Sequence, residues 1–163
     1  STEDPETQFR NWLRKIHFLK HEIDILAASS EPAKLISAFL LKFQYVEFEL
    51  TQLLLSMDLQ IHRQNRGLTL NRKTRSPSSY YESHAKFSSL ISELDRFQGD
   101  GITTLVEFLT SMNKLRNELT HKLFLSDSSM SETAEKSRQG LTTATSALNE
   151  MDKLVKSIEE SSK

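Results

Sequence analysis

The sequence predicts an all-α bundle of four to five helices, with two long helices first. Three observations carry this. Gly and Pro together number only seven in 163 residues, about a third of ordinary usage. A sheet protein needs turn chemistry every 8–12 residues or so, and this chain has too little of it. The prolines Pro5, Pro32 and Pro77 stand where helices or loops should begin, and apolar residues recur at helical spacing between them. The length suits a single helical domain over residues 1–163.

Asp4-Pro5 reads as an N-cap followed by a first-turn proline. The first helix is expected over 5–28, with Phe9, Trp12, Ile16, Leu19, Ile23 and Leu26 on one stripe. Ser29-Ser30-Glu31-Pro32 is a stop and a restart. The second helix is expected over 32–62, with Leu35, Phe39, Phe43, Val46, Leu50 and Leu53 along its main stripe. Leu41, Tyr45, Phe48, Leu55 and Leu59 lie off it. A helix apolar on more than one side is central in the fold or part of an interface.

Residues 63–78 read as a basic loop broken by Gly67 and Ser76-Pro77. Ser79-Tyr80-Tyr81-Glu82 reads as a capping box opening a third helix over 79–97, which Gly99-Asp100-Gly101 would end. A fourth helix is expected over 102–125. Ser126 to Glu132 is a linker with capping residues, and a C-terminal helix is expected over 131–160. Leu141, Leu148, Met151, Val155 and Ile158 would face inward from it. Its first half is rich in Ser and Thr, and Gly140 costs about 1 kcal/mol against Ala in a helix interior. That half is expected to be loosely packed.

Composition excludes several functions. There is no cysteine, which removes disulfides, zinc–thiolate sites, iron–sulfur clusters and thiol nucleophiles. No apolar run reaches the roughly 18 residues of a membrane span. Residues 1–8 are polar and acidic, so no signal peptide is expected. A cytoplasmic protein without a membrane partner is expected. Net charge is −1, with no global nucleic-acid signature. Between Asp58 and Glu82, however, there is no acid, while Arg63, Arg66, Arg72, Lys73 and Arg75 are all basic. Such a patch can hold a polyanion such as RNA through counterion release, or can simply be a solvated loop.

No P-loop, Gly-rich dinucleotide turn, His-Glu-x-x-His, calcium loop or Gly-x-Ser-x-Gly elbow is present. His17 and His21 would share a helix face, a spacing that can chelate a metal. They lack a third ligand, because Glu22 points elsewhere, and read as a solvent-edge pair. His62 in the basic loop and His84 early in the third helix have no local partner. No metal and no cofactor are expected.

His121 differs. At about 100° per residue, Asn113, Arg116, Asn117, Thr120 and His121 occupy one arc of about 140°. Leu105, Met112, Leu119 and Leu123 lie on the adjoining flank. A solvated face is usually rich in Lys and Glu, whereas this one is built of hydrogen-bonding groups. Arg binds phosphate bidentately and stays charged. His exchanges a proton near neutral pH.

At Leu115-Arg116-Asn117-Glu118-Leu119-Thr120-His121 the sequence resembles the HEPN family, small all-helical domains of prokaryotic toxin and defence systems. The family's signature is Arg, four to six residues, then His on a late helix, with Asn often following the Arg. Arg10 to His17 and Arg14 to His21 also satisfy the looser spacing. The four-residue spacing, the adjacent Asn, the late position and the two long preceding helices single out Arg116. The resemblance implies a HEPN-like fold and a metal-independent ribonuclease, with Arg and His from two subunits meeting at a homodimer interface. Arg116 would hold the scissile phosphate, His121 would handle protons and Asn117 would orient one of them, with Asn113 and Thr120 in support. A cognate antitoxin would be a further partner. One toxin subgroup, regulated by a nucleotidyltransferase, carries Tyr two residues after the His; Leu123 stands there instead. The alternative reading is a non-catalytic HEPN-like bundle serving as a protein-interaction or nucleotide-binding module.

Overall fold

The computed structural model describes residues 4–64, 86–97 and 99–161, and among them all regular structure is helical. In chain order the helices are α1 (Pro5–Ala27), α2 (Pro32–Gln64), α3 (Phe87–Asp95), α4 (Asp100–His121) and α5 (Met130–Ser161). None is long and apolar enough to cross a membrane.

Their ends follow local chemistry. Asp4 caps α1 by accepting from the Thr7 backbone N–H at 2.8 Å and from its hydroxyl at 3.0 Å. These bonds satisfy a first-turn donor that has no intrahelical partner, and they hold the Asp4 carboxyl below its ordinary range. Ser129 caps α5, accepting the Glu132 N–H at 3.1 Å. Gly99 precedes α4 at φ 149° and ψ 156°, backbone that is essentially restricted to glycine. Gly99 therefore starts a helix, and Asp100 and Gly101 belong to its first turn rather than ending the helix before. Two further boundaries differ from the sequence expectation. Lys86 is extended, at φ −106° and ψ 135°, so α3 starts at Phe87 and does not run unbroken from Ser79. The Ser79–Glu82 capping box and His84 lie outside the described residues. At the other end of α4, Lys122 leaves helical geometry at φ −126°, so residues 123–125 form turns.

Helix α2 is central. Leu35, Phe39, Val46 and Leu50 are fully buried on it. They meet Phe87, Leu90 and Leu94 of α3, Leu105, Leu109 and Met112 of α4, and Ala144, Ala147 and Met151 of α5 in one core. Its second apolar side is occupied by α1: Leu41, Tyr45 and Phe48 line a groove with Trp12, Ile16 and Leu19. Leu41, Tyr45 and Phe48 are thus explained by centrality, Leu55 packs against the core, and the side chain of Leu59 lies outside the described residues.

The first half of α5 is tightly packed, contrary to expectation. Thr133, Ala134 and Ser137 are buried. Their hydroxyls do not oppose burial, because Ser137 Oγ donates to the Thr133 carbonyl at 2.9 Å and Thr133 Oγ1 to the Ser129 carbonyl at 3.0 Å. Small side chains here shorten the distance to α2 and α4. A Cβ at Gly140 would lie 2.5 Å from Leu115 Cδ2 and 2.6 Å from a ring carbon of Phe39. Lys42 adds a polar link, its Nζ donating to Thr145 Oγ1 at 2.6 Å. Burial pushes the Lys42 ammonium below its ordinary range.

Candidate functional site

The polar arc lies on α4, whose adjoining flank (Leu105, Met112 and Leu119) is buried. Burial of that flank fixes the rotation of the helix and sets Arg116 at the edge of α2. There the guanidinium carbon lies 4.7 Å from the ring centroid of Phe43. Phe43 in turn packs on Phe87 with centroids 4.4 Å apart. A guanidinium over an aromatic face gains cation–π attraction while its edges stay free to donate.

Two amide oxygens hold one of those edges. Arg116 Nε donates to Asn117 Oδ1 at 3.1 Å, and Nη2 donates to Asn113 Oδ1 at 3.2 Å. Arginine is donor-only, so the oxygens of both amides must face it. Two of its five N–H groups are used in this way. Among the described residues Nη1 makes no hydrogen bond, which leaves a fork facing away from the two Asn residues. Such a fork matches the oxygens of a phosphate.

Glu47 was missed by the sequence reading. It lies one turn from Phe43 on α2, on the same face, and is half-buried. Burial raises its carboxyl above the ordinary range, and the nearby Arg116 charge partly offsets that. The signal available in the sequence was an acid set inside the apolar run of α2. The raised pKa means that the folded state binds more protons than the unfolded chain, so stability falls as pH rises through the titration of Glu47. Glu47→Gln is therefore expected to raise the melting temperature at pH 7. The gain should shrink as pH falls and vanish by about pH 3, below the unfolded-state pKa, where the carboxyl is protonated in both states. Thermal melts of both proteins across this range check it.

The remaining members of the arc are placed less directly. Thr120 Oγ1 donates to the Arg116 backbone carbonyl at 2.9 Å, so it ties down the helix and does not touch the guanidinium. His121 is the last residue of α4. It is exposed, and among the described residues its ring makes no hydrogen bond or ion pair. It stands about 140° around the helix from Arg116 and about 7.5 Å along it. One protomer thus assembles Asn113, Arg116, Asn117, Phe43 and Glu47, and leaves His121 at the rim. Directly beyond His121, Phe124 is 100% and Leu125 85% exposed.

Of the basic segment, Arg63 falls in the last turn of α2 rather than in a loop, and its side chain lies outside the described residues. Arg66, Arg72, Lys73 and Arg75 also lie outside them. His17 and His21 are exposed on α1. Among the described residues no group of three or more His, Asp or Glu is placed to hold a metal ion. No family model, curated protein or solved structure matches this chain.

Proposed function

We propose that the chain is a homodimeric endoribonuclease of HEPN type that cleaves RNA without a metal ion. The preorganised Arg116 guanidinium supports this reading, because stacking on Phe43 and two amide hydrogen bonds hold it in place and leave N–H groups over for a phosphate. In RNA the 2′-OH attacks its own phosphorus and the P–O5′ bond breaks. One His121 takes the 2′ proton, and a second, from the partner protomer, protonates the leaving 5′ oxygen. Arg116 neutralises charge gathering on the non-bridging oxygens. The products are a 2′,3′-cyclic phosphate and a 5′-OH. Incubation with single-stranded RNA in EDTA, followed by gel analysis and end mapping, tests this. Cleavage with cyclic phosphate ends is expected, and DNA of the same sequence, lacking the nucleophile, should stay whole. Cleavage that EDTA stops, or DNA cut alongside RNA, overturns it. A role in toxin or defence systems, with a cognate antitoxin, follows from the same resemblance, and Arg63, Arg66, Arg72, Lys73 and Arg75 are the proposed RNA-tracking cations.

The dimer is part of the proposal because His121 and Arg116 of one protomer diverge. The bare Phe124 and Leu125 side chains beside His121 supply apolar surface for a two-fold contact. Total burial of at least roughly 1,200 Å² is expected. Leu125→Asp should shift a sedimentation profile from dimer to monomer and silence cleavage with it. A wild-type protein that sediments as a monomer at micromolar concentration contradicts this.

A further inference from the structure

A second surface lies elsewhere on α2. By the 100° advance per residue, the face bearing Leu41, Gln44, Tyr45 and Phe48 is turned about 130° from the one bearing Phe43 and Glu47. Between it and α1 runs an open groove of about 330 Å³. Its apolar walls are Trp12, Ile16 and Leu19 from α1 and Leu41, Tyr45 and Phe48 from α2. Trp12 remains 41% exposed although its ring lies 5.5 Å from that of Phe48 and 5.7 Å from that of Phe9.

The charges that line this groove are basic, and Glu49, hydrogen-bonded to Tyr45, stands beside it. Among the described residues the charged ones lining it are Lys15 and Lys20. From Thr7 to His21 the chain has no acid, and it carries Arg10, Arg14, Lys15 and Lys20. Of these, Arg10 pairs with Glu6 and Lys20 lies 5.3 Å from the Tyr45 ring centroid. Along α1 the lining runs from Trp12 to Ile23, about 16 Å or three helical turns. A concave apolar channel of that length, with lysines along it, matches an amphipathic helix that places apolar side chains inward and carboxylates at the edges. A lipid surface would meet the exposed Phe18 and Ile25 of α1 rather than this recessed groove, and a nucleic acid backbone would find an apolar floor.

We infer that the α1–α2 groove docks an acidic amphipathic helix of a partner protein. Trp12 is the chain's one tryptophan, so its emission reports occupancy directly. The probe is a tryptophan-free peptide of about 18 residues, roughly five turns, with Leu at i, i+3, i+4 and i+7 positions and Glu on the other face. A saturable blue shift of Trp12 with micromolar Kd is expected. Lys15→Glu/Lys20→Glu should weaken it at least about tenfold, while circular dichroism shows the fold intact. A peptide with Lys in place of Glu should not saturate. Equal binding of the two peptides, or no change in Trp12 emission, overturns the inference. So does a Trp12 shift that tracks self-association on concentration, or one produced only by phosphatidylserine vesicles. None of these readouts depends on RNA cleavage, so failure here and failure of the nuclease reading are distinguishable.

Discussion

RNA cleavage should disappear, by at least about 10² and up to about 10⁴ in rate, in both His121→Ala and Arg116→Ala. The two losses have different physical origins. His121 is exposed at the end of α4 and among the described residues holds nothing in place. Its removal should leave the melting temperature unchanged, and RNA binding should survive. Arg116 is tied to Phe43, Asn113 and Asn117, and its charge moderates the half-buried Glu47. Arg116→Ala should therefore also lower stability, most strongly at pH above the titration of Glu47, where its carboxylate is left without that charge. Arg116→Lys separates the two effects. It keeps a charge near Glu47 and should fold as the wild type does, yet it lacks the planar fork that grips a phosphate. Cleavage by Arg116→Lys should stay near the alanine level. Arg10→Ala and His17→Ala, at exposed positions of α1, should cut RNA at nearly the wild-type rate. A His121→Ala protein that cuts at the wild-type rate sinks the assignment. The arc on α4 would then serve to organise hydrogen bonds at the α2–α4 contact.

The largest stability effect is expected at Gly140. By helix propensity alone, Gly140→Ala should gain about 1 kcal/mol. The new Cβ, however, would stand 2.6 Å and 2.7 Å from two ring carbons of Phe39, which is fully buried and cannot turn away. Leu115 Cδ2, at 2.5 Å, ends a flexible side chain and can yield in part. Overpacking of this kind costs about 1–3 kcal/mol, so the alanine variant should be less stable, not more. Gly140→Leu inserts far more volume at the same place and should force α5 away from α2 and α4. Urea unfolding of the three proteins should show midpoints falling in the order Gly, Ala, Leu. A midpoint for Gly140→Ala above that of the wild type would show that the helices can separate at no cost. Leu115 directly precedes Arg116, so a displaced α4 also moves the guanidinium. Gly140→Ala should then lose cleavage activity as well as stability.

The helical class, the order of the helices and most of their ends were legible in the sequence because they depend on neighbours in the chain. Asp4-Pro5 makes a cap wherever it occurs, and the apolar spacing of α2 chooses a helix before any partner arrives. The arc from Asn113 to His121 was legible for the same reason, since residues three and four apart on a helix must share a side. What depends on distant residues was decided only by tertiary structure. Gly140 reads locally as a weak point, and becomes a close contact because Phe39, about a hundred positions earlier, comes up against it. Gly99 reads as a stop, and becomes a start because its backbone takes φ 149° ahead of α4. Glu47 reads as one acid in an apolar run, and enters the site because α2 and α4 cross where Phe43 supports Arg116. Spacing put Arg116 and His121 on one arc. Packing then drew the arginine against α2 and left the histidine in solvent, because the buried flank of Leu105, Met112 and Leu119 permits only one rotation of the helix.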